Sequence, residues 1–193
     1  MIHNLDELKK PLNFLDLFAK VQDIHLEIGV GKGRYLKEIA QDRPDLNFIG
    51  LEKSIKWFKR AEDKVHKKLG LNEQVILIHA YAEELFAGYL EDKSLAAIHI
   101  MFPDPWPKRR HLPRRIFSPD NIKHFYTVLK DKGCIYFATD YLEYFKDVKK
   151  LFMNDFVEQF SFKEVEPFAY TTNFQAKYQL ENRSMGFAII YKI

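Results

Sequence analysis

The chain has 193 residues, and its composition is that of a folded protein. Hydrophobic residues make up 47% and aromatic residues 15% of the sequence, which excludes an intrinsically disordered chain and is enough for one packed core. The 30 Lys and Arg residues nearly balance the 27 Asp and Glu residues, so net charge alone does not indicate a nucleic-acid partner. No apolar run approaches the roughly 20 residues that cross a bilayer, so we expect no membrane partner.

The cysteine content and the N-terminus bear on where the protein works. Cys134 is the only cysteine, and the first residues lack the apolar core of a signal peptide. We therefore expect a reducing, cytoplasmic location. No internal repeat or Gly/Ser/Pro-rich linker divides the sequence. One domain over residues 1–193 is predicted, with residues 1–20 as an N-terminal extension packed on it or flexible beside it.

Short apolar runs alternate with longer amphipathic patterns along most of the chain. The apolar runs predict strands, which in chain order are DIHLEIG, NFIGLE, VILIHA, LAAIHIMF and GCIYFATD. Helices are predicted from about Arg34, over Ile55 to Leu69, over SPDNIKHFYTVLKDKG and over Tyr141 to Asn154. Beyond these, FSFKEVEPF and MGFAIIYKI predict two strands with no helix between them. The fold class is therefore α/β, with a mostly parallel sheet that ends in an antiparallel pair.

The first candidate site is the loop LEIGVGKGRYL, between the first predicted strand and the helix that follows. Gly29, Gly31 and Gly33 let the backbone turn tightly and approach a ligand, and the helix N-terminus offers free N–H groups. A tight turn with no ligand would use the same glycines. The spacing departs from the G-x-G-x-x-G dinucleotide fingerprint, because the third glycine comes one residue earlier. The loop thus favours a nucleotide-like ligand without a pyrophosphate.

Two acidic residues accompany this loop. Glu52 ends the next strand, where a carboxylate can accept hydrogen bonds from both ribose hydroxyls of an adenosine. A helix-capping or surface acid is the alternative for Glu52. Glu27 lies just before the first glycine, and two carboxylates at one crevice repel phosphates and attract cations. The pair therefore predicts a ligand that combines an adenosine with positive charge. S-adenosylmethionine has both features.

The stretch FPDPWPKRRH, from Phe102 to His111, follows the fourth predicted strand. Each of the prolines flanking Asp104 fixes its own φ and pushes the preceding residue toward an extended conformation, so Asp104 is predicted to be held rigidly. Ligands of open α/β sheets bind at the carboxyl ends of the strands, so Asp104, Glu52 and the glycine loop should meet in one crevice. A rigid turn with an incidental acid is the alternative. Trp106 could stack on a base or cover the core.

Two clusters of basic residues stand out. Five of the eight residues from Lys108 to Arg115 are basic, which predicts contacts with an RNA backbone beside the proposed site; they are Lys108, Arg109, Arg110, Arg114 and Arg115. A solvated loop is the alternative. The second cluster follows NFIGLE and comprises Lys53, Lys56, Lys59 and Arg60. Its simpler interpretation is the solvated face of an amphipathic helix.

The histidines do not predict a metal site. His25, His79 and His99 lie in different predicted strands, with no paired cysteine and no closely spaced ligand beside them. Positions in the core or at its rim are the expected ones.

Four motifs together resemble those of bacterial tRNA (guanine-N7)-methyltransferases: EIGVGKG, FPDPWPKRRH, ATD at Ala138 to Asp140, and TTNFQ at Thr171 to Gln175. The resemblance covers essentially the whole chain, and the second motif is specific to this group. It implies a Rossmann-like class I methyltransferase domain, with a mostly parallel seven-stranded sheet, helices on both faces and an antiparallel C-terminal strand. It also implies methyl transfer from S-adenosylmethionine to N7 of the variable-loop guanosine of tRNA, guanine-46.

The resemblance implies roles for individual residues. Glu27, Glu52 and the loop glycines would contact S-adenosylmethionine, and Asp104 would be both a cofactor-side contact and the catalytic acid. The substrate contacts would be Lys108, Asp140, Thr172, Asn173, Phe174 and Gln175. Two positions depart from the family pattern. Tyr81 stands where an acid beside the adenine is common, with Glu83 or Glu84 as possible replacements, and Gln175 stands in place of an acid, keeping a hydrogen-bonding role without the charge.

The chemistry of guanine N7 decides what Asp104 is expected to do. N7 carries an in-plane lone pair, so its methylation needs no general base. Asp104 is therefore expected to orient the base and to stabilise the positive charge that develops on it.

Three other functions remain open. A dinucleotide-dependent oxidoreductase would explain the glycine loop but not the basic run. A non-catalytic RNA-binding protein would leave the three acids unexplained. Another RNA base N-methyltransferase, of the kind that uses an Asp/Asn-Pro-Pro-aromatic turn, differs in that an exocyclic amine must lose a proton. Monomer and homodimer are both compatible with the sequence.

Overall fold

The computed structural model describes residues 2–71 and 73–193. Within these ranges the strands are β1 Ile2–Asn4, β2 Asp23–Ile28, β3 Leu46–Glu52, β4 Val75–His79, β5 Leu95–Met101, β6 Leu129–Thr139, β7 Phe160–Glu164 and β8 Gly186–Lys192. The α-helices are α1 Phe14–Leu17, α2 Arg34–Asp42, α3 Ile55–Glu62, α4 Ala82–Phe86, α5 Pro119–Val128, α6 Leu142–Asn154 and α7 Asn173–Leu180. Short helical turns span Leu5–Glu7, Asp63–Lys67 and Arg109–Arg114.

These strands form one sheet in the order β1-β4-β3-β2-β5-β6-β8-β7. The first six positions in this order pair in parallel, and β8 lies antiparallel to both β6 and β7. The predicted fold class, a mostly parallel sheet with antiparallel C-terminal strands, is confirmed. The short β1 adds an eighth strand at the edge beside β4. Three residues carry too little alternation to predict it from the sequence.

Helices cover both faces of the sheet. On one face, α4, α5 and α6 bury residues such as Leu85, Phe125 and Phe152. On the other face, α2 and α3 bury Leu36 and Phe58 together with further apolar residues at helical spacing. Because each helix turns an apolar stripe toward the sheet, its charged residues lie on the outside of the molecule.

The end of α5 differs from the prediction. Ser118 caps the helix as expected, since its Oγ accepts from the Asn121 N–H at 3.2 Å, but the helix ends at Val128 and the next residues belong to β6. The Lys192 ammonium donates to the carbonyl oxygens of Tyr126 and Leu129, at 2.6 and 2.7 Å. The donor in these bonds belongs to β8 and the carbonyl groups lie at the end of α5. The local sequence pattern of α5 does not indicate such a partner.

A helix separates the last two strands, so the prediction that none does is wrong. α7 begins after Thr172, whose Oγ1 accepts from the Gln175 N–H at 2.8 Å. Its apolar residues occur at every second position, at Phe174, Ala176, Tyr178 and Leu180. That alternation is typical of a strand, so the periodicity of the apolar residues does not predict this helix.

Gly50 lies in β3 with no room for a side chain. A Cβ there would lie 2.6 Å from Leu36 Cδ2 and 2.7 Å from Leu77 Cδ2. We expect Gly50→Ala to lower the free energy of unfolding by about 1 to 3 kcal/mol, the usual cost of overpacking a core, in urea denaturation at constant m-value. Lys150→Ala, on the exposed side of α6, is the control and should change it by less than about 0.5 kcal/mol. Equal stability of Gly50→Ala and wild type would contradict this packing.

Candidate active site

The carboxyl ends of β2, β3 and β5 meet at one edge of the sheet. Glu27 of β2 lies in register with Gly50 of β3 and His99 of β5. The glycine loop leaves β2, Glu52 ends β3, and the stretch containing Asp104 leaves β5. The structure therefore brings the three sequence-predicted sites to one edge, because parallel strands present their carboxyl ends together.

The three glycines of the loop serve two purposes. Gly29, Gly31 and Gly33 have φ values of +82°, +54° and +68°, in the left-handed region that favours glycine. A Cβ on Gly29 or Gly31 would meet no atom within 4 Å, so the space beside this part of the loop is open to a ligand. A Cβ on Gly33 would lie 3.1 Å from the Cα of Ala61. Gly33 therefore allows the start of α2 to pack closely against α3.

The Glu52 side chain fixes the shape of this edge. It is buried, and its Oε2 accepts from the Gly31 N–H while its Oε1 accepts from the Ser54 N–H, each at 2.8 Å. Each carboxylate oxygen has a second lone pair, so both can still accept from a ligand hydroxyl. Glu52 thus holds the glycine loop and retains the capacity for the predicted ribose contact.

Glu27 is a buried carboxyl group without a full set of partners. Its side chain is 3% exposed, and Oε2 has no hydrogen-bond partner within the described ranges. Burial, and next the charge of Glu52, raises the pKa of Glu27 from 4.5 to about 8. A buried carboxylate is costly unless it is protonated or paired with a cation. The group therefore fits a cofactor with an ammonium group and disfavours a phosphate, so the residues present fit S-adenosylmethionine.

The half-buried His25 and the buried His99 form a polar layer on neighbouring strands. His25 Nδ1 lies 2.9 Å from His99 Nε2, and the Tyr35 hydroxyl lies 3.0 Å from His99 Nδ1. Burial lowers the pKa of His99 well below 6.5, and burial, followed by the charge of Arg43, lowers the pKa of His25 to about 4. Both imidazoles are therefore neutral near pH 7. Their sequence positions place them in different strands but do not show that β2 and β5 are neighbours.

Within residues 2–71 and 73–193, no group of three or more His, Cys, Asp and Glu side chains is arranged to hold a metal ion. The same part of the chain contains no helix with the length and hydrophobicity needed to cross a membrane.

The loop that carries Asp104 has an unusual backbone. Phe102 and Trp106 have φ values of +53° and +42°, so the expectation that the residue before Pro103 is extended is wrong. The Phe102 N–H donates to the Ala138 carbonyl at 2.7 Å, which keeps β5 paired with β6 up to the point where the chain must turn. Left-handed conformations cost about 1 to 3 kcal/mol at such residues. The surrounding contacts therefore hold this loop in a strained shape.

Asp104 lies on the surface of this loop. Its side chain is 66% exposed and pairs with the Lys53 ammonium at 3.6 Å. Lys53 directly follows Glu52, so this ion pair links the end of β3 to the loop after β5. The carboxylate is thus presented outward at the edge where Glu27 and Glu52 are buried.

Trp106 lies against the basic loop beyond Asp104. Its ring meets the His111 ring edge-on at 5.5 Å, and the Arg114 guanidinium lies 5.1 Å from the ring centroid. Trp106 therefore helps to shape this loop. Four predicted RNA contacts here are exposed and have no carboxylate within 4.0 Å among the described residues: Lys108, Arg109, Arg110 and Arg114.

Arg115 differs from the other basic residues of the run. Its side chain is 10% exposed, its Nη1 pairs with Asp147 of α6 at 2.8 Å, and its Nε donates to the Pro105 carbonyl at 2.8 Å. The guanidinium also lies 4.3 Å from the centroid of the Tyr144 ring. Arg115 therefore anchors the Asp104 loop to α6. Its predicted RNA contact stays a prediction, whereas its structural contacts were not foreseen.

The C-terminal residues predicted to bind substrate divide into buried and exposed ones. Thr172 and Gln175 are buried at the start of α7, where Asn173 is the first helical residue. Phe174 is 53% exposed and stacks on Tyr178. Asp140, after β6, pairs with Arg183 at 3.3 Å. Of these residues, only the aromatic ring of Phe174 is largely exposed, whereas the ion-paired carboxylate of Asp140 is half-buried.

Tyr81 lies at the carboxyl end of β4 and is 57% exposed. Its N–H donates to Glu84 Oε2 at 2.6 Å, so Glu84 caps the start of α4. A cleft of about 590 Å³ lies here, lined by Lys53, Tyr81, Glu84 and the N-terminal segment from Asn4 to Glu7, among others. Its place beside Glu52 suits the adenine end of a nucleoside ligand.

The strand order and the crevice at the carboxyl edge define the class I methyltransferase fold. A solved structure of the 16S rRNA methyltransferase KamB is similar, with a TM-score of 0.69 and 16% identity over 93% of this chain and 92% of that one. The aminoglycoside resistance methyltransferase NpmB1 gives a TM-score of 0.62 with 16% identity, over 93% and 92% of the two chains. These likenesses concern the fold alone.

Sequence comparisons are more specific. A family model described as "Putative methyltransferase" matches residues 21–188. A protein from Actinobacillus pleuropneumoniae named tRNA (guanine-N(7)-)-methyltransferase is 34% identical over 176 residues, covering 85% of this chain and 70% of that protein. One of the same name from Thermotoga maritima is 31% identical over 191 residues, covering 95% and 58%. The chain belongs to the tRNA (guanine-N7)-methyltransferase family.

The relatives are longer than the part of them that aligns. A protein of the same name from Rhodopirellula baltica is 35% identical over 146 residues, which cover 73% of this chain and 53% of that protein. The chain thus spans little more than half the length of several curated relatives that it matches.

The raised pKa of Glu27 predicts how stability depends on pH. The folded protein holds a proton that the unfolded chain releases near pH 4.5, so ligand-free wild type loses stability as pH rises from 4.5 through about 8. Glu27→Gln cannot ionise and should be more stable than wild type by roughly 3 to 5 kcal/mol at pH 9, with little difference at pH 5. Urea denaturation across this range measures the effect. The exposed Glu83→Gln is the control, and parallel curves for Glu27→Gln and wild type would contradict the prediction.

Proposed function

We propose that the protein transfers a methyl group from S-adenosylmethionine to N7 of guanine-46 in the variable loop of tRNA. The observation that carries the proposal is the arrangement at the sheet edge. The carboxyl of Glu27 is buried there, with no hydrogen-bond partner for Oε2 among the described residues, while Asp104 is exposed between this crevice and a cationic loop. Family membership and the names of the relatives support the same reaction.

Different residues of the crevice would contact different parts of the cofactor. Glu27 pairs with its ammonium group, and Glu52 accepts from its ribose hydroxyls. Tyr81 lies at the adenine end, beside the cleft after β4. The open space at Gly29 and Gly31 lets the cofactor approach the backbone. S-adenosylmethionine supplies a methyl group on an electrophilic sulfonium.

Asp104 acts on the base. The N7 lone pair forms the new N–C bond as the S–C bond breaks, the electrons of that bond stay on sulfur, and no proton moves in this step. The guanine therefore becomes cationic, and the Asp104 carboxylate stabilises this charge and accepts from guanine N–H groups that orient the ring. Lys53, at 3.6 Å, compensates the Asp104 charge while no base is bound.

The cationic loop binds the RNA beside the target base. Arg109, Arg110 and Arg114 are exposed on a helical turn that follows Asp104, and the exposed Lys108 directly precedes this turn. Contacts from such side chains to phosphates supply affinity without reading sequence. The choice of base then falls to the crevice and to Asp104.

A labelling experiment tests the reaction. The protein is incubated with methyl-labelled S-adenosylmethionine and an unmodified tRNA transcript, and reduction with aniline cleavage then locates N7-methylguanosine. Cleavage is expected at guanine-46, and a transcript with adenosine at that position should stay unlabelled. Label without aniline cleavage would indicate methylation of an exocyclic amine instead. Label elsewhere in the transcript would reject guanine-46.

Asp104→Asn keeps the shape of the side chain and removes its charge. We expect the methyl-transfer rate to fall about a hundredfold in single-turnover assays, because the amide stabilises a cationic base poorly. Binding of S-adenosylmethionine is measured in parallel, so that loss of a cofactor-side contact of Asp104 is distinguished from loss of rate. Asp16→Asn, an exposed carboxylate on α1, is the matched control. A full rate for Asp104→Asn would reject the assigned role.

The exposed and anchored arginines should behave differently. We expect Arg109→Ala/Arg110→Ala to weaken tRNA binding about tenfold in 50 mM salt and to reduce the slope of log K against log[salt] by about 1.5, with cofactor binding unchanged. Arg115→Ala should also lower the free energy of unfolding by about 2 kcal/mol, since it leaves the Pro105 carbonyl and Asp147 without their partner. Its salt slope tests whether Arg115 contacts the RNA as well. Identical salt slopes for wild type and the double variant would contradict the loop's role.

A further inference from the structure

α2, α3 and the residues beside them carry positive charge that the proposed reaction does not use. Residues 53–68 contain seven Lys or Arg residues and two acids. α2 and α3 pack side by side, with room at Gly33 for close approach to Ala61. We name the following group the α2–α3 cationic surface: Lys32, Lys37, Lys56, Trp57, Arg60 and Lys64.

The charges of this surface are not balanced by acids. Nearby Arg34 pairs with Glu38 at 2.9 Å, and Lys67 pairs with Asp63 at 2.8 Å. By contrast, none of the five cations of the surface has a carboxylate within 4.0 Å in the described part of the chain. α3 does bury an apolar stripe, as the spacing of its apolar residues predicts. Exposure to solvent alone would not require that the charged residues on this face all have the same sign.

Trp57 gathers three of these cations around one ring. The Lys32 and Lys56 ammonium groups lie 5.3 and 5.1 Å from its centroid, and the Arg60 guanidinium lies at 5.1 Å. Like charges repel, but the electron-rich ring attracts each of them. The half-buried Trp57 thus holds together three exposed cationic groups, which prepares the site for an anion.

The positive field extends along both helices. Burial lowers the pKa of Lys64, and the charges of Lys37, Arg34 and Lys32 lower it further. From Lys56 to Lys64, α3 and the helical turn that follows it rise about 12 Å. The surface is therefore long enough to meet an extended polyanion.

The surface borders the candidate active site. α3 follows β3, whereas the Lys108–Arg115 run follows β5, and these two strands flank β2 in the sheet. The Lys53–Asp104 ion pair at 3.6 Å connects the start of α3 with the Asp104 loop. The crevice after β2 thus lies between two cationic surfaces.

We propose that the α2–α3 cationic surface is a second phosphate-binding site for the RNA, on the opposite side of the crevice from the Lys108–Arg115 run. Its ammonium and guanidinium groups donate to phosphodiester oxygens, and Trp57 keeps three of them together. Recognition of this kind is independent of sequence and sensitive to salt. The inference rests on the proposed function in that the RNA is taken to be tRNA.

A pair of double variants tests the surface. Lys56→Ala/Arg60→Ala removes two of its charges. Lys146→Ala/Lys150→Ala is the matched control, because both lysines are exposed on α6, which covers the other face of the sheet. Fluorescence anisotropy measures binding of a labelled tRNA transcript between 50 and 200 mM salt. We expect about tenfold weaker binding at 50 mM salt and a slope smaller by about 1.5 for the first variant, and less than twofold change for the control.

Substitutions of Trp57 test how the cations are held, without any change in charge. Phe offers a weaker ring for cations than Trp, and Ala offers none. tRNA affinity is therefore expected to fall in the order wild type, Trp57→Phe, Trp57→Ala. Thermal unfolding and S-adenosylmethionine binding are measured in parallel, and both should be unchanged in Trp57→Phe. Unaltered tRNA affinity in both variants would reject the role of the ring.

Two outcomes overturn the proposal. One is wild-type tRNA affinity and salt slope in Lys56→Ala/Arg60→Ala. The other is a loss of binding by that variant to vesicles of phosphatidylcholine and phosphatidylserine with no loss of binding to tRNA, which would assign the surface to a membrane. The labelling experiment tests the proposed function separately: if the proposed function is wrong, the wild-type protein leaves the tRNA unlabelled. The binding assay does not depend on methyl transfer, so it tests only the cationic surface.

Discussion

The two hydrogen bonds accepted by the Glu52 carboxylate join the parts of the molecule on which the candidate site depends. One oxygen accepts from the Gly31 N–H and the other from the Ser54 N–H. Gly31 belongs to the loop after β2, and Ser54 precedes the first residue of α3. The glycine loop and the helix that carries Trp57 are therefore fixed to one buried side chain. Hydrogen bonds to a charged acceptor are strong, so this connection is rigid.

Charges of opposite sign occupy different depths at this edge of the sheet. Glu27 and Glu52 are buried, whereas the cations of the Lys108–Arg115 run and of α3 are mostly exposed around them. This separation keeps the acids available to a cationic cofactor and the outer cations available to a polyanion. The Lys53–Asp104 ion pair lies at the boundary between the two zones. Asp104 is thus the acid that a ligand arriving from solvent can reach first.

Much of the site could be predicted because it follows from regular elements. The strands that end at Glu52 and before Phe102 have strong apolar patterns, and the rule for parallel strands then places their ends together. Arg115 could not be assigned in this way. Its partner Asp147 lies 32 positions further along the chain on α6, and a run of basic residues does not show which member turns inward.

Other features were hidden for different physical reasons. α7 has a strand-like alternation of apolar residues, so its helical state depends on the Thr172 cap and on tertiary packing. The contact between His25 and His99 requires the sheet order, which no single segment contains. The left-handed conformations of Phe102 and Trp106 oppose local preference, and only the surrounding structure imposes them.

The backbone of Phe102 and Trp106 also limits how this site can change during evolution. Both residues hold conformations that their own sequence does not favour. Phe102 is kept in place by the Ala138 carbonyl and by the rings of Tyr178 and Phe187. A copy of the stretch FPDPWPKRRH in another α/β protein would lack these neighbours and would relax to a different shape. The shape of this stretch therefore depends on its scaffold, and substitutions that remove these neighbours are expected to shift the position of Asp104.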